Sequence, residues 1–313
     1  MAVLNSTANS VPELFQELAT FLTTPANFSS GNEWQLLRPS VIDSNTKEVI
    51  LKGVGDDGED EIYVGMKIKD VTDGQGVVTQ QNILLNGFCG YDPHLEWYEQ
   101  PGAIYKEVLP CIPLAPNVAM TYWFTANSSR FTVTVMMSNQ YESAYVGFMK
   151  PVAIERQYPY PLVIGGSAQD GITWSDHGTS HSAFFDPKAG SAGYSALCVR
   201  RPDGVWKYGG NDKSTGRGAY LQTWPNNTSP VDVFTVYNKD EEYPQPEDHV
   251  LYPILIYESS PTGIFGQLDG VYWIGNRADL AARDNVIYNG VTYKVFNNVH
   301  NRADDAYHVI EWR

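Results

Sequence analysis

Between Trp34 and Phe148 apolar residues recur at every second position, and that period decides most of what the chain can fold into. Successive side chains of an extended strand point to opposite faces, so a period of two gives a strand one apolar face and one polar face. Residues 61–69 place Ile62, Val64, Met66 and Ile68 on one side, and residues 130–137 do the same with Phe131, Val133, Val135 and Met137. Shorter runs at 48–52, 82–86, 121–125 and 142–148 complete the set. Turn residues punctuate them: Gly55 to Gly58, Asp73-Gly74 and Asn127 to Ser129. Several short strands with turns between them predict a mainly β fold, an antiparallel sandwich or barrel.

One helix precedes these strands. Ser10, with Glu13 three residues on, has the form of a capping box, and Pro12 suits a first helical turn. Leu14, Phe15, Leu18, Phe21 and Leu22 follow at helical spacing, and Pro25 ends the run. Such an amphipathic helix either covers a sheet of its own chain or docks on a neighbouring subunit; Phe15 and Leu18 would be its contact residues. Residues 1–10 are polar and show no basic segment followed by an apolar one, so no secretory signal is expected there.

After Phe148 the rhythm breaks. Tyr158-Pro159-Tyr160-Pro161 lacks the ladder donors of a central strand, and Gly165-Gly166 follows; residues 149–190 read as a long surface connection. Residues 196–208 form a hairpin about Pro202-Asp203-Gly204, 209–230 read as a polar loop, 231–237 as a strand, and 239–248 as an acidic, proline-broken stretch. Near the C-terminus, 268–274 read as a turn then a strand. Residues 286–296 form a hairpin about Asn289-Gly290, which accepts the positive φ angles of a type I′ turn, and 306–312 form a last strand. The division expected is 1–30 for the helix and an arm, 31–260 for a large β domain with long loops, and 261–313 for a small C-terminal β unit packed on it.

The formal net charge of −15 disfavours direct contact with nucleic acid, since phosphates are neutralised by clustered Lys and Arg and the densest basic patch is Arg200-Arg201. No stretch approaches the roughly 20 apolar residues of a membrane helix, so no membrane partner is expected. Cys89, Cys111 and Cys198 are widely spaced and lack a Cys-x-x-Cys pair; reduced thiols are favoured, with one disulfide left open. The Asn-x-Ser/Thr triplets at Asn5, Asn27, Asn127, Asn226 and Asn227 follow from an Asn/Ser/Thr-rich composition.

Motifs for chemistry are weak. His177 and His181 could share a metal only on a helix, and Gly178 argues for a loop; Asp176 and Asp186 would complete the set. The acidic run 56–61 does not follow calcium-loop spacing. Gly190-Ser191-Ala192-Gly193 is one residue short of a nucleophile elbow, and Gly210 to Thr215 lacks the second glycine of a phosphate loop. No enzymatic activity, cofactor or metal is expected.

Several strings taken together carry a resemblance: Trp34 to Pro39, Leu85 to Pro93, Tyr122 to Asn127, Tyr141 to Phe148, Gln157 to Gly166, Ser182 to Pro187 and Gly266 to Trp273. They resemble a family of virion structural proteins of tailed phages and prophages, over nearly the whole chain. The resemblance implies a part assembled in the host cytoplasm, retained in the virion, and bound to other virion proteins and to copies of itself in a ring. A neck or collar position at the head-to-tail junction is expected, with the tail-tip baseplate as the alternative. The 20 Tyr and 8 Trp suit such interfaces. Tyr158, Tyr160, Trp206 and Trp224 are the candidate interaction residues beside Phe15 and Leu18, and the segments 158–166 and 209–230 are candidate arms. A carbohydrate-binding module is the rival class, with Trp97, Tyr98, Trp206 and Trp224 as stacking residues.

Overall fold

A computed structural model describes residues 1–28, 31–152, 161–175, 183, 196–208, 221–224, 251–259, 262–274, 280–299 and 307–313. In chain order the elements are β1 (Ala2–Ala8), α1 (Val11–Thr23), β2 (Gln35–Arg38), β3 (Glu48–Gly53), β4 (Ile62–Thr72), β5 (Val78–Phe88) and β6 (Pro110–Leu114). Next come β7 (Met120–Ala126), β8 (Arg130–Met137), β9 (Gln140–Phe148), β10 (Lys150–Pro151), β11 (Leu162–Gly165), β12 (Ala168–Gln169), β13 (Leu197–Arg200) and β14 (Trp206–Tyr208). The last are β15 (Leu221–Trp224), β16 (Leu251–Ser259), β17 (Thr262–Ile274), β18 (Asn285–Tyr288), β19 (Val291–Asn297) and β20 (Tyr307–Glu311).

These strands form three antiparallel sheets. An outer sheet runs β12-β6-β5-β4-β3-β2, a central sheet β1-β7-β8-β9-β11-β13-β14, and a C-terminal sheet β15-β16-β17-β20-β19-β18 with β10 added to β17. The central sheet is buried on both faces, and the pleat sorts its side chains between two cores. Phe124, Val133, Val146 and Ile164 join Val64, Met66, Ile83 and Leu85 of the outer sheet. Trp123, Tyr145, Val163 and Val199 join Val271, Phe296 and Ile310 of the C-terminal sheet. A third cluster, with Ile274, Tyr293, Val295 and Val309, lies on the far face of the C-terminal sheet under Leu280 and Val286. The fold is therefore a three-layer β arrangement, mainly β with one N-terminal helix.

The helix starts where expected. Ser10 Oγ accepts from the Glu13 N–H (3.3 Å), and Glu13 Oε2 accepts from the Asn9 N–H (2.7 Å), a reciprocal cap. Its whole apolar face, including Phe15 and Leu18, is buried in the first core. This corrects the docking alternative: the pair packs on its own sheets, where each buried side chain contributes about 1.5–3 kcal/mol.

The structure corrects four further expectations. Residues 2–8 are not an arm but β1, paired with β7 along its full length, and Asn5 Nδ2 donates to the Tyr122 carbonyl (2.8 Å). The 149–190 connection holds β10, β11 and β12, and β11 sits inside the central sheet between β9 and β13. The 209–230 loop holds β15, paired with β16. Asp269-Gly270 does not turn the chain: β17 continues through it, with Gly270 at φ +65° absorbing the irregularity. The C-terminal sheet draws strands from both sides of residue 260, since β16 and β17 pair directly. The hairpin about Asn289 (φ 50°) and Gly290 (φ 75°) forms as read, joining β18 to β19. Residues 231–237 and 239–248 lie outside the described residues, and no described helix is long and apolar enough to cross a membrane.

Candidate functional site

The nominated side chains scatter. Phe15 and Leu18 are core, as above. Trp206 is buried too, its Nε1 donating to the Gly102 carbonyl (2.7 Å), so it is a support and not an exposed contact. Trp224 is half-buried against the second core. Trp97 is fully buried, whereas its neighbour Tyr98 is exposed. Tyr158, Tyr160, Asp176, His177, His181 and Asp186 lie outside the described residues. Among the described residues no three His, Cys, Asp or Glu side chains converge as metal ligands. Cys89 is an exposed free thiol; Cys111 and Cys198 are buried free thiols whose ionisation burial opposes.

What the structure does assemble is a groove over the outer sheet. The face turned away from Ile83 and Leu85 carries Gly65, Lys67, Leu84, Asn86 and Phe88, and Trp97, Ile104 and Leu109 of the following segment join Leu84 and Phe88 in the first core. Gly65 has no side chain because Trp97 lies there: a Cβ would fall 2.6 Å from Trp97 Nε1 and 2.8 Å from the Phe88 ring. Trp97 meets Phe88 edge-on at 6.0 Å and Tyr98 edge-on at 5.0 Å between centroids. Lys67 places its ammonium 4.9 Å from the Tyr98 centroid while pairing with Glu48 at 2.7 Å.

Backbone contacts then fix the segment. The Cys89 N–H donates to the Pro101 carbonyl (2.6 Å), closing the loop. The buried Gln100 side chain donates to the Asp92 and Leu95 carbonyls and accepts from the Asp92 N–H, each at 2.9 Å. Asn86 Oδ1 accepts from the Ile104 N–H (2.9 Å). Gly102 holds φ +64° where a Cβ would meet Cys89 Sγ. The result is a groove of about 480 Å3 along residues 98–107, with Tyr105 at its far end, 6.3 Å from Tyr208 at the edge of the central sheet. Tyr98 and Tyr105 are 36% and 70% exposed, and Glu99, Lys106 and Glu107 are exposed beside them. Tyr105 carries no local sequence signal for this role, since nothing around residue 105 indicates that it lines the same groove as Tyr98.

A second polar constellation clamps the central and C-terminal sheets. Arg130 is 1% exposed. Its Nε donates to Asp269 (3.1 Å) and its Nη1 to Thr125 Oγ1 (3.1 Å). Lys150 reaches the same carboxylate at 2.5 Å, and Asn127 donates to it at 3.4 Å. Tyr145 donates its hydroxyl to the Phe148 carbonyl (2.6 Å) and accepts from the Asp269 N–H (3.2 Å). Burial pushes the Asp269 carboxyl up, but Arg130 and Lys150 outweigh it and hold it below the usual carboxylate range. Glu142, fully buried near Ser167 and Gln140, is pushed up by burial to about 7 in spite of their hydrogen bonds. His308, fully buried against Phe296, is pushed down by burial to about 3. Arg130, Asp269, Lys150 and Tyr145 thus tie the central sheet to the C-terminal sheet.

No family model and no curated protein matches the sequence.

Proposed function

We propose that the chain is a structural component of a tailed-phage virion, at the neck or collar of the head-to-tail junction, held there by contacts with other virion proteins and with copies of itself. The observation that carries this reading is the exposed turn of hairpin β18–β19. Ile287 (75% exposed) and Tyr288 (41% exposed) stand beside its type I′ turn, on a strand at the edge of the C-terminal sheet. Exposed apolar and aromatic residues on an open sheet edge are what repeated subunit contacts use. The resemblance of the motifs between Trp34 and Trp273 to virion structural proteins supports the same reading, and the tail-tip baseplate is the alternative position within it.

The test is gold-labelled antibody against the chain on purified particles, viewed by negative-stain electron microscopy. Label at the neck is expected; label at the tail tip selects the baseplate. Particles without label, or with label only along fibres, overturn the proposal.

A further inference from the structure

We infer that the groove along residues 98–107 is a binding subsite for a neutral saccharide. Two tyrosines present accessible aromatic surface there, Tyr98 and Tyr105, with Tyr208 beside the latter. Sugar rings offer C–H faces that settle on such rings, because the aromatic face carries the negative side of its quadrupole. Sugar hydroxyls need both donors and acceptors close by, and Glu99, Glu107, Lys106 and the tyrosine hydroxyls supply both.

Three properties narrow the ligand. A volume of about 480 Å3 fits a small molecule or a short oligosaccharide and falls within the usual range of ligand clefts. It is too local for a stable protein interface, which covers about 800 Å2 on each partner. Charge then disfavours acidic sugars: Glu99 and Glu107 outnumber Lys106 along the groove, and the nearby Lys67 is already engaged by Glu48, on a chain of net charge −15. The groove is also pre-organised. Gln100, Asn86 and Trp206 each fix its backbone from below, so little ordering opposes binding. Two unanswered donors lie buried next to the groove segment. Asn86 Nδ2 and Trp97 Nε1 are buried donors that no described group accepts from.

The experiment is saturation-transfer-difference NMR followed by calorimetric titration of the full chain with neutral trisaccharides of glucose, galactose and N-acetylglucosamine, and with a trigalacturonate as the acidic comparison. At least one neutral trisaccharide should bind, the trigalacturonate should not, and Tyr105→Ala should weaken binding by about tenfold. Tyr105 is exposed, so the variant keeps its fold, as circular dichroism checks; Tyr288→Ala, on the distant hairpin, should bind like the parent. Absence of binding to all three neutral sugars overturns the inference. So does binding unchanged in both Tyr98→Ala and Tyr105→Ala, or equal binding of trigalacturonate. A Tyr105→Ala chain that binds sugar normally but fails to enter particles would assign the groove to a protein contact instead, leaving the virion reading intact.

Discussion

Arg130 and Asp269 bear most directly on stability among individual residues, because the charge of Arg130 is removed from water and must be answered inside the protein. Removing one member of a buried pair leaves the other uncompensated, which typically costs about 3–5 kcal/mol. Asp269 is partly open to solvent, so Asp269→Asn should fall at or below the lower end of that range, read as a drop in the urea midpoint. Lys150→Met, which removes only the exposed partner, should cost about 1 kcal/mol or less.

Asp269 and Glu142 set opposite pH trends. Asp269 is held below its ordinary value in the folded state, so its contribution is present at neutral pH and is lost as pH falls beneath the ordinary carboxylate range. Glu142 is raised from 4.5 to about 7. The folded state therefore binds its proton more tightly, and its contribution is full below the ordinary carboxylate value and lost as pH rises through about 7. Glu142→Gln should flatten the fall in stability between pH 5 and pH 8 measured by chemical denaturation. A parent protein whose stability does not fall over that interval would contradict the burial of this carboxyl.

At the level of elements, the helix and the strands divide sharply in how far they could be read. The Ser10 cap, the apolar spacing of α1 and the Asn289-Gly290 turn are local chemistry, and all three formed as read. β4 and β8 showed clean alternation and formed as well. β11 did not show it, and β13 was legible only through the Pro202-Asp203-Gly204 turn of the hairpin it forms with β14, as read. Leu162-Val163-Ile164 and Leu197-Cys198-Val199 are buried on both sides, so their apolar runs have no polar phase, as in any strand between two layers. β1 failed for the reverse reason: its polar Asn5-Ser6-Thr7 gives no core signal, and pairing with β7 decides its state. Docking of Phe15 was likewise settled by which surface lay nearest. Phe15→Ala should lower stability by about 3–5 kcal/mol, seen as a fall in melting temperature. A stable variant that lost only self-association would return the helix to an intersubunit role.

At the scale of the whole molecule, three sheets share their interior through a central sheet with two apolar faces. If copies of the chain meet through β18–β19, Ile287→Asp combined with Tyr288→Ser should reduce sedimentation-defined oligomers to monomers while leaving the melting temperature within about 2 °C, because exposed substitutions change stability by roughly 0.5 kcal/mol or less. Oligomers that survive the double substitution would place the self-contact elsewhere.

The amino-acid sequence by itself determined the β class, the helix with its cap, the type I′ hairpin and most strands with one wet face, because alternation, capping and turn angles are properties of a few consecutive residues. Only the tertiary structure decided that three sheets stack, that β1 and β11 belong to the central one, that Phe15, Leu18 and Trp206 face inward, and that Tyr98 and Tyr105 line one groove. Those outcomes depend on pairings between residues a hundred or more positions apart, such as Trp206 with Gly102 and Ala2 with Ala126. Their energy comes from burial and hydrogen bonds that exist only once distant segments have come together.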